Sequence, residues 1–160
     1  MNLNFRQAIE TDISLINQLA QKIWLEHYPS IISVEQIEFM LCNRYSEKAI
    51  AEGIQRGEQY FLAYANEEPV AYADIQWQGE FYYLHKFYLD VSKHRSGVGT
   101  KFFNYLLSKI DSSKPIKLQV NRKNFKAINF YFKIGFVIES VGDFDIGGGY
   151  FMNDFIMVRR

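Results

Sequence analysis

With 160 residues the chain is long enough for one domain with a sizeable core and too short for two ordinary ones, so residues 1–160 are expected to form a single domain. Basic and acidic side chains balance at 18 each, which argues against a nucleic-acid-binding surface as the main business. The one cysteine, Cys42, excludes an intramolecular disulfide and offers no metal cluster, no apolar run approaches membrane-spanning length, and the amino terminus lacks a signal peptide's apolar core, so a soluble, cytoplasmic, metal-free protein is expected.

Leu3, Phe5, Gln7 and Ile9 alternate with Asn4, Arg6 and Ala8, the pattern of a strand ending near Glu10-Thr11-Asp12. A helix follows, capped by Thr11 or Asp12, with Ile13, Ile16, Ala20, Ile23, Trp24 and His27 at three- and four-residue steps and a stop at Pro29. Ser33 with Gln36 forms a capping box for a second helix whose Val34, Ile37, Met40 and Leu41 face inward, with Cys42 as a small buried thiol on it. Ser46 caps a third helix running to about Gly57.

The period then changes from helical to alternating. Tyr60–Ala65 and Val70–Trp77 read as strands joined by a turn at Asn66-Glu67-Glu68-Pro69, and Phe81–Leu89 as a third after a turn at Gln78-Gly79-Glu80, together an antiparallel meander. A helix from about Val98 carries Phe102, Phe103, Leu106 and Leu107, with Ile110 continuing the spacing. Ile116, Leu118 and Val120 alternate as a strand, a helix opens at Asn124, and two last strands, Phe136–Phe144 and Tyr150–Val158, flank Gly147-Gly148-Gly149.

The stretch Lys93-His94-Arg95-Ser96-Gly97-Val98-Gly99-Thr100 sits where a strand gives way to a helix. Its glycines let backbone approach a ligand closely, and the first helical turn leaves N–H groups free at the positive end of the helix dipole, so the segment reads as an anion cradle suited to phosphate. It lacks the Gly-Lys-Ser/Thr ending of a P-loop, and the third glycine and following acidic residue of a dinucleotide fingerprint.

A second motif adds specificity. Asn124, Ala127, Phe130, Tyr131, Gly135 and Phe136 match an Asn-x-x-Ala-x-x-Phe-Tyr-x-x-x-Gly-Phe helix, and His94, Gly97 and Gly99 match an Arg/Gln-x-x-Gly-x-Gly/Ala pyrophosphate loop. In this order and separation the two motifs resemble the GNAT superfamily of acyl-CoA-dependent N-acyltransferases, and more narrowly its bacterial small-molecule subgroup. His94 stands where the family has Arg or Gln, and Arg95 where it often has Gly; a positive φ at Arg95 would carry strain. The resemblance implies an α/β (α+β) GNAT fold: a mixed, mostly antiparallel sheet, split at the cofactor site, with helices on both faces.

It also implies chemistry, namely direct transfer of an acetyl group from acetyl-CoA to a primary amine of a small molecule, both substrates bound together. The pyrophosphate would lie on backbone N–H groups of Arg95, Ser96, Gly97, Val98, Gly99 and Thr100, beside His94. Pantetheine would pair with Phe87, Tyr88 and Leu89 and meet the Asn124 amide. The Leu89 N–H would polarise the thioester carbonyl and Tyr131 would protonate the departing sulfur. Groups able to take the ammonium proton are Glu26, His27, His85, on the face of Phe87 and Leu89, and Asp154, or a water chain held by them. Trp24, Glu26, His27, Tyr28 and Asp154 would line the acceptor site, where aromatics and carboxylates suit a cation; Trp24 also falls on the apolar stripe of a core residue. Protein or peptide acetylation, and CoA sensing without catalysis, are the other readings, and family members often form homodimers.

Overall fold

A computed structural model describes all 160 residues. In chain order the elements are β1 (Leu3–Gln7), α1 (Ile13–His27), α2 (Val34–Arg44), α3 (Glu47–Gln55), β2 (Gln59–Ala65), β3 (Glu68–Trp77), β4 (Tyr82–Leu89), α4 (Val98–Leu107), β5 (Ile116–Asn121), α5 (Phe125–Lys133), β6 (Val137–Gly147) and β7 (Tyr150–Arg159). This is the succession expected from the periodicities. The strands form one seven-stranded sheet in the order β1-β2-β3-β4-β5-β7-β6, antiparallel at every junction except β4 to β5.

Period-two alternation sorts the side chains onto two faces. Phe61, Ala63 and Ala65 of β2 with Ala71, Ala73 and Ile75 of β3 pack toward Phe102, Phe103 and Leu106 of α4 and Ile128 of α5. The intervening Tyr60, Leu62 and Tyr72 meet Ile16, Leu19, Ile23 and Trp24 of α1, Ile37 and Met40 of α2 and Ile50 of α3. Burying each of these large side chains contributes about 1.5–3 kcal/mol, so the helices are held by their apolar faces more than by propensity.

Several local expectations are corrected. Asp12 stands at the N-cap position of α1 but makes no side-chain cap bond: its carboxylate accepts from both Arg6 guanidinium nitrogens at 2.7 and 2.8 Å and from Ile9 N at 2.8 Å. Ile9 is 63% exposed, because β1 stops at Gln7 and the chain enters a 3-10 turn before α1. Ser33 does cap α2 through Gln36 N, but the Gln36 side chain donates to Phe151 O at 2.8 Å and leaves the capping box half formed. Val34 and Cys42 lie on the outer side of α2 and are exposed. The β2–β3 turn is tighter than expected: Asn66 and Glu67 alone form it at φ +49° and +69°, with Glu68 already paired to Ala65, as in a two-residue hairpin.

One irregularity inside the sheet changes which way side chains point. Asp74 pairs with Lys86 but Ile75 pairs with Leu84, so His85 is an extra residue in β4. A bulge of this kind reverses the alternation on either side of it. His85 therefore turns away from the face that Leu84 and Phe87 share and bonds Gln76 Oε1 at 2.8 Å, with Glu58 at 3.8 Å. Beside it, Lys86 reaches the α2–α3 junction, donating to Tyr60 hydroxyl: its Nζ lies 3.8 Å from the fully buried Asp74 carboxyl and 4.8 and 5.0 Å over the rings of Tyr45 and Tyr60.

Candidate active site

β4 and β5 start side by side and then part. Their parallel pairing is confined to Tyr82 with Ile116 and Tyr83 with Lys117, whereas β5 stays paired with β7 as far as Asn121 opposite Asp154. The bulge at His85 lies just beyond the last β4–β5 pair and adds local twist where the strands separate. A cleft of about 440 Å³ opens there, between Phe87, Tyr88 and Leu89 on one side and Asn121, Asn124, Phe130 and Tyr131 on the other, a size typical of a small-ligand site.

The β4 edge that faces this cleft is unpaired. Asp90 N–H donates to Val70 O of β3 at 2.8 Å, and backbone groups of successive strand residues point to opposite edges. The polar groups of Leu89 and Phe87 thus face the parted side. Leu89 O accepts from His94 Nε2 at 3.1 Å, and Leu89 N–H is left for a ligand.

The glycine loop forms one end of the cleft, with Lys93, His94, Arg95, Gly97, Gly99 and Thr100 lining it. Gly97 precedes α4 at φ +83°, a conformation that only glycine adopts without strain. Lys101 N bonds Gly97 O at 3.2 Å, which leaves the N–H groups of Gly99 and Thr100 pointing out of the end of α4; two of the expected donors are already engaged, Ser96 N with Lys93 O at 3.3 Å and Val98 N with Ser96 Oγ at 3.5 Å. Gly99 has a packing reason as well: a β-carbon there would lie 3.2 Å from Phe130 of α5. Arg95 does take the positive φ, +62°. Two members of the expected set contribute no side chain: Val98 is fully buried in the core, and Ser96 Oγ is bonded to Lys93 O.

Asn124 answers a conflict between two expected duties. Its Oδ1 caps α5 on Ala127 N at 3.4 Å and receives His27 Nε2 at 3.1 Å, so the carboxamide nitrogen remains for a ligand in the cleft that Asn124 lines. Tyr131 lines the same cleft, and burial alone raises its phenol, with no charged neighbour contributing. It stays protonated and able to donate across the physiological range.

Another part of the cleft wall is aromatic and acidic. Tyr28, Tyr88, Met152 and Asp154 line it. Asp154 is 3% exposed, its Oδ1 has no hydrogen-bond partner, and burial lifts its carboxyl to about 6 against the pull of Arg122. Tyr88 accepts from Tyr45 hydroxyl at 3.1 Å. Trp24 lies behind this wall, 1% exposed and stacked on Tyr28 at 4.0 Å, so it supports the site from the core without entering it.

The remaining candidates are corrected by position. Glu26 projects to solvent from α1 and is not among the cleft residues, because the buried stripe of the helix runs through Ile16, Leu19, Ala20, Ile23 and Trp24 and Glu26 falls off it. His85 is excluded by its bulge. His27 does line the cleft, beside Tyr28, and it also bonds the residue that opens α5. Sequence spacing did not reveal Asn121, Gln119, Lys126 or Met152, which also line the cleft; strand register brings Gln119, Asn121 and Met152 there, the first turn of α5 brings Lys126, and no local pattern announces it.

A family model described as an acetyltransferase (GNAT) domain matches residues 30–143, more than half of the chain. A spermidine N(1)-acetyltransferase of Thermoplasma acidophilum is 25% identical over 168 residues, covering 100% of this chain and 98% of that protein. Among solved structures, the PaiA N-acetyltransferase of Thermoplasma acidophilum in complex with coenzyme A superposes with a TM-score of 0.85 at 22% identity, over 100% of this chain and 99% of that one. The ribosomal-protein-S18-alanine N-acetyltransferase of Escherichia coli superposes with a TM-score of 0.74 at 18% identity, over 99% and 93%. At these identities the structural likeness speaks to the fold alone.

Proposed function

Because this chain belongs to the GNAT family of acetyltransferases, we propose that its single domain, residues 1–160, acetylates a primary amine of a small, cationic molecule by direct attack on acetyl-CoA. The observation that carries the acceptor class is Asp154, a buried carboxylate with an unpartnered oxygen in the wall of the cleft. An uncompensated buried carboxylate is costly, and an ammonium against it is the natural complement. Tyr28 and Tyr88 add ring faces suited to the same charge. The name of the spermidine-acetylating relative supports polyamines as the first class to test.

In this reading the donor's pyrophosphate rests on the N-terminus of α4 beside Arg95 and Lys93, its pantetheine pairs with the free edge at Phe87 and Leu89, and the Asn124 carboxamide nitrogen donates to a pantetheine carbonyl. The residues fit such a group: unpaired N–H donors, cations and an open strand edge lie in one continuous cleft. The acceptor ammonium docks on Asp154, which takes one proton. Burial of the amine away from water lowers its own affinity for that proton. The freed lone pair attacks the thioester carbon, and Leu89 N–H stabilises the oxygen as it becomes anionic. Collapse breaks the carbon–sulfur bond, the Tyr131 hydroxyl protonates the leaving sulfur, and the proton shed by the new amide nitrogen restores the phenol.

The test is release of free CoA thiol from acetyl-CoA with purified protein and a panel of polyamines, monoamines, amino acids, aminoglycosides and short peptides. Saturable release with di- or polyamines, lost in Asp154→Asn, supports the reading. Release with peptides alone would redirect it to a protein acceptor, and tight acetyl-CoA binding without release from any amine would favour a CoA sensor.

A further inference from the structure

We propose that His27 is a positioning residue for the acyl donor, acting through Asn124 and not through the acceptor; this rests on the reading that the cleft holds acetyl-CoA. The bond in question joins the two halves of the site. His27 is the last residue of α1 and Asn124 precedes the first residue of α5, 97 positions apart in sequence. The contact is 3.1 Å between His27 Nε2 and Asn124 Oδ1.

A carboxamide presents an acceptor at one end and two donors at the other, and a half-turn about its last bond exchanges them. The N-cap bond from Ala127 N to Oδ1 is long, 3.4 Å, and by itself holds the orientation weakly. His27 supplies the second constraint. Because Oδ1 can only accept, the ring must donate from Nε2, and it does so in both the neutral Nε2–H form and the imidazolium. If the carboxamide turned over, its NH₂ would face the Ala127 N–H, donor against donor, and could meet the ring only after His27 moved its proton from Nε2 to Nδ1, so the cap and the Nε2–H ring act together. The oxygen is therefore pinned on the α1 side and the NH₂ group is directed into the cleft, where Asn124, only 4% exposed, has nothing else to bond. The His27 ring is itself fixed, edge-on to Tyr28 at 5.0 Å and to His94 at 5.9 Å. A histidine tied up in this way serves the donor side although its helix carries acceptor-side residues.

The experiment is a double-substitution cycle read by calorimetric titration with CoA. His27→Phe keeps the ring contacts and removes the donor; Asn124→Asp keeps the cap oxygen and removes the NH₂ group. His27→Phe is expected to weaken CoA about fivefold, the worth of one hydrogen bond, and His27→Gln, which can donate from its own amide, to recover most of it. In the Asn124→Asp background His27→Phe should change CoA affinity little, since no NH₂ group remains to be aimed. Losses that simply add, a glutamine no better than phenylalanine, or an unchanged CoA affinity with a raised KM for the amine would each overturn the assignment. If the unsubstituted protein fails to bind CoA, the underlying reading falls and this one with it; if it binds and His27→Phe binds equally, only this one falls.

Discussion

Asp154 of β7 lies directly across the sheet from Asn121, the last residue of β5, so a buried carboxylate stands where the sheet has opened. Its position makes activity and stability pull in opposite directions. Burial raises the carboxyl to about 6 from an unfolded value near 4. For an acid with a raised folded pKa, the stability present below the unfolded pKa is lost as pH climbs through the folded one. Asp154→Asn should therefore raise stability at pH 7 by about 3 kcal/mol in urea unfolding and make no difference at pH 3. The same substitution should abolish the fall in kcat/KM below about pH 6 along with most of the activity. A destabilised Asp154→Asn protein would contradict the account.

Tyr131 is the group assigned to the sulfur. Tyr131→Phe should lower kcat about a hundredfold while calorimetric affinity for acetyl-CoA stays within twofold. Because burial raises the phenol, no alkaline limb from this residue is expected in the physiological range. Equal kcat in the two proteins would remove Tyr131 from the chemistry.

Arg95 holds φ +62° in the glycine loop, a conformation costing a non-glycine residue about 1 kcal/mol. Arg95→Gly should raise the melting temperature and weaken CoA several-fold by losing a charge-assisted phosphate contact. The weakening should shrink in high salt. Tighter CoA binding by the glycine variant would show that the guanidinium does not serve the phosphates.

Lys86 and Asp74 form a buried pair, 3.8 Å apart, with burial holding the carboxyl above its ordinary range and Lys86 pulling against it. Lys86→Met should cost about 1–3 kcal/mol by leaving buried polar groups, the Asp74 carboxyl and the Tyr60 hydroxyl, without the amine, and Lys86→Met with Asp74→Leu should recover most of that loss in denaturant titration. Additive losses would mean that the two side chains do not compensate one another.

Much of this architecture was legible before any coordinates. Element type and order follow from whether apolar residues repeat every second or every third to fourth position, and that pattern is local: β3 and β4 or α4 can be read from ten residues at a time. The glycine loop and the α5 motif were likewise readable, because a phosphate cradle and an N-capped helix are short, contiguous devices. Asp12 and Gln36 misled because a polar side chain at a cap position can choose a distant partner, Arg6 in one case and Phe151 O in the other.

The sequence by itself determined which segments are strands and helices and where the donor's phosphates would rest, since both depend on neighbours along the chain. Which carboxylate, tyrosine and histidine share the acceptor end was decided only in three dimensions. One extra residue at His85 turned that side chain off the cleft, helical phase sent Glu26 to solvent, and β5–β7 register brought Asp154 to the opening. These outcomes rest on hydrogen-bond register and packing between segments far apart in sequence, and no local periodicity encodes them.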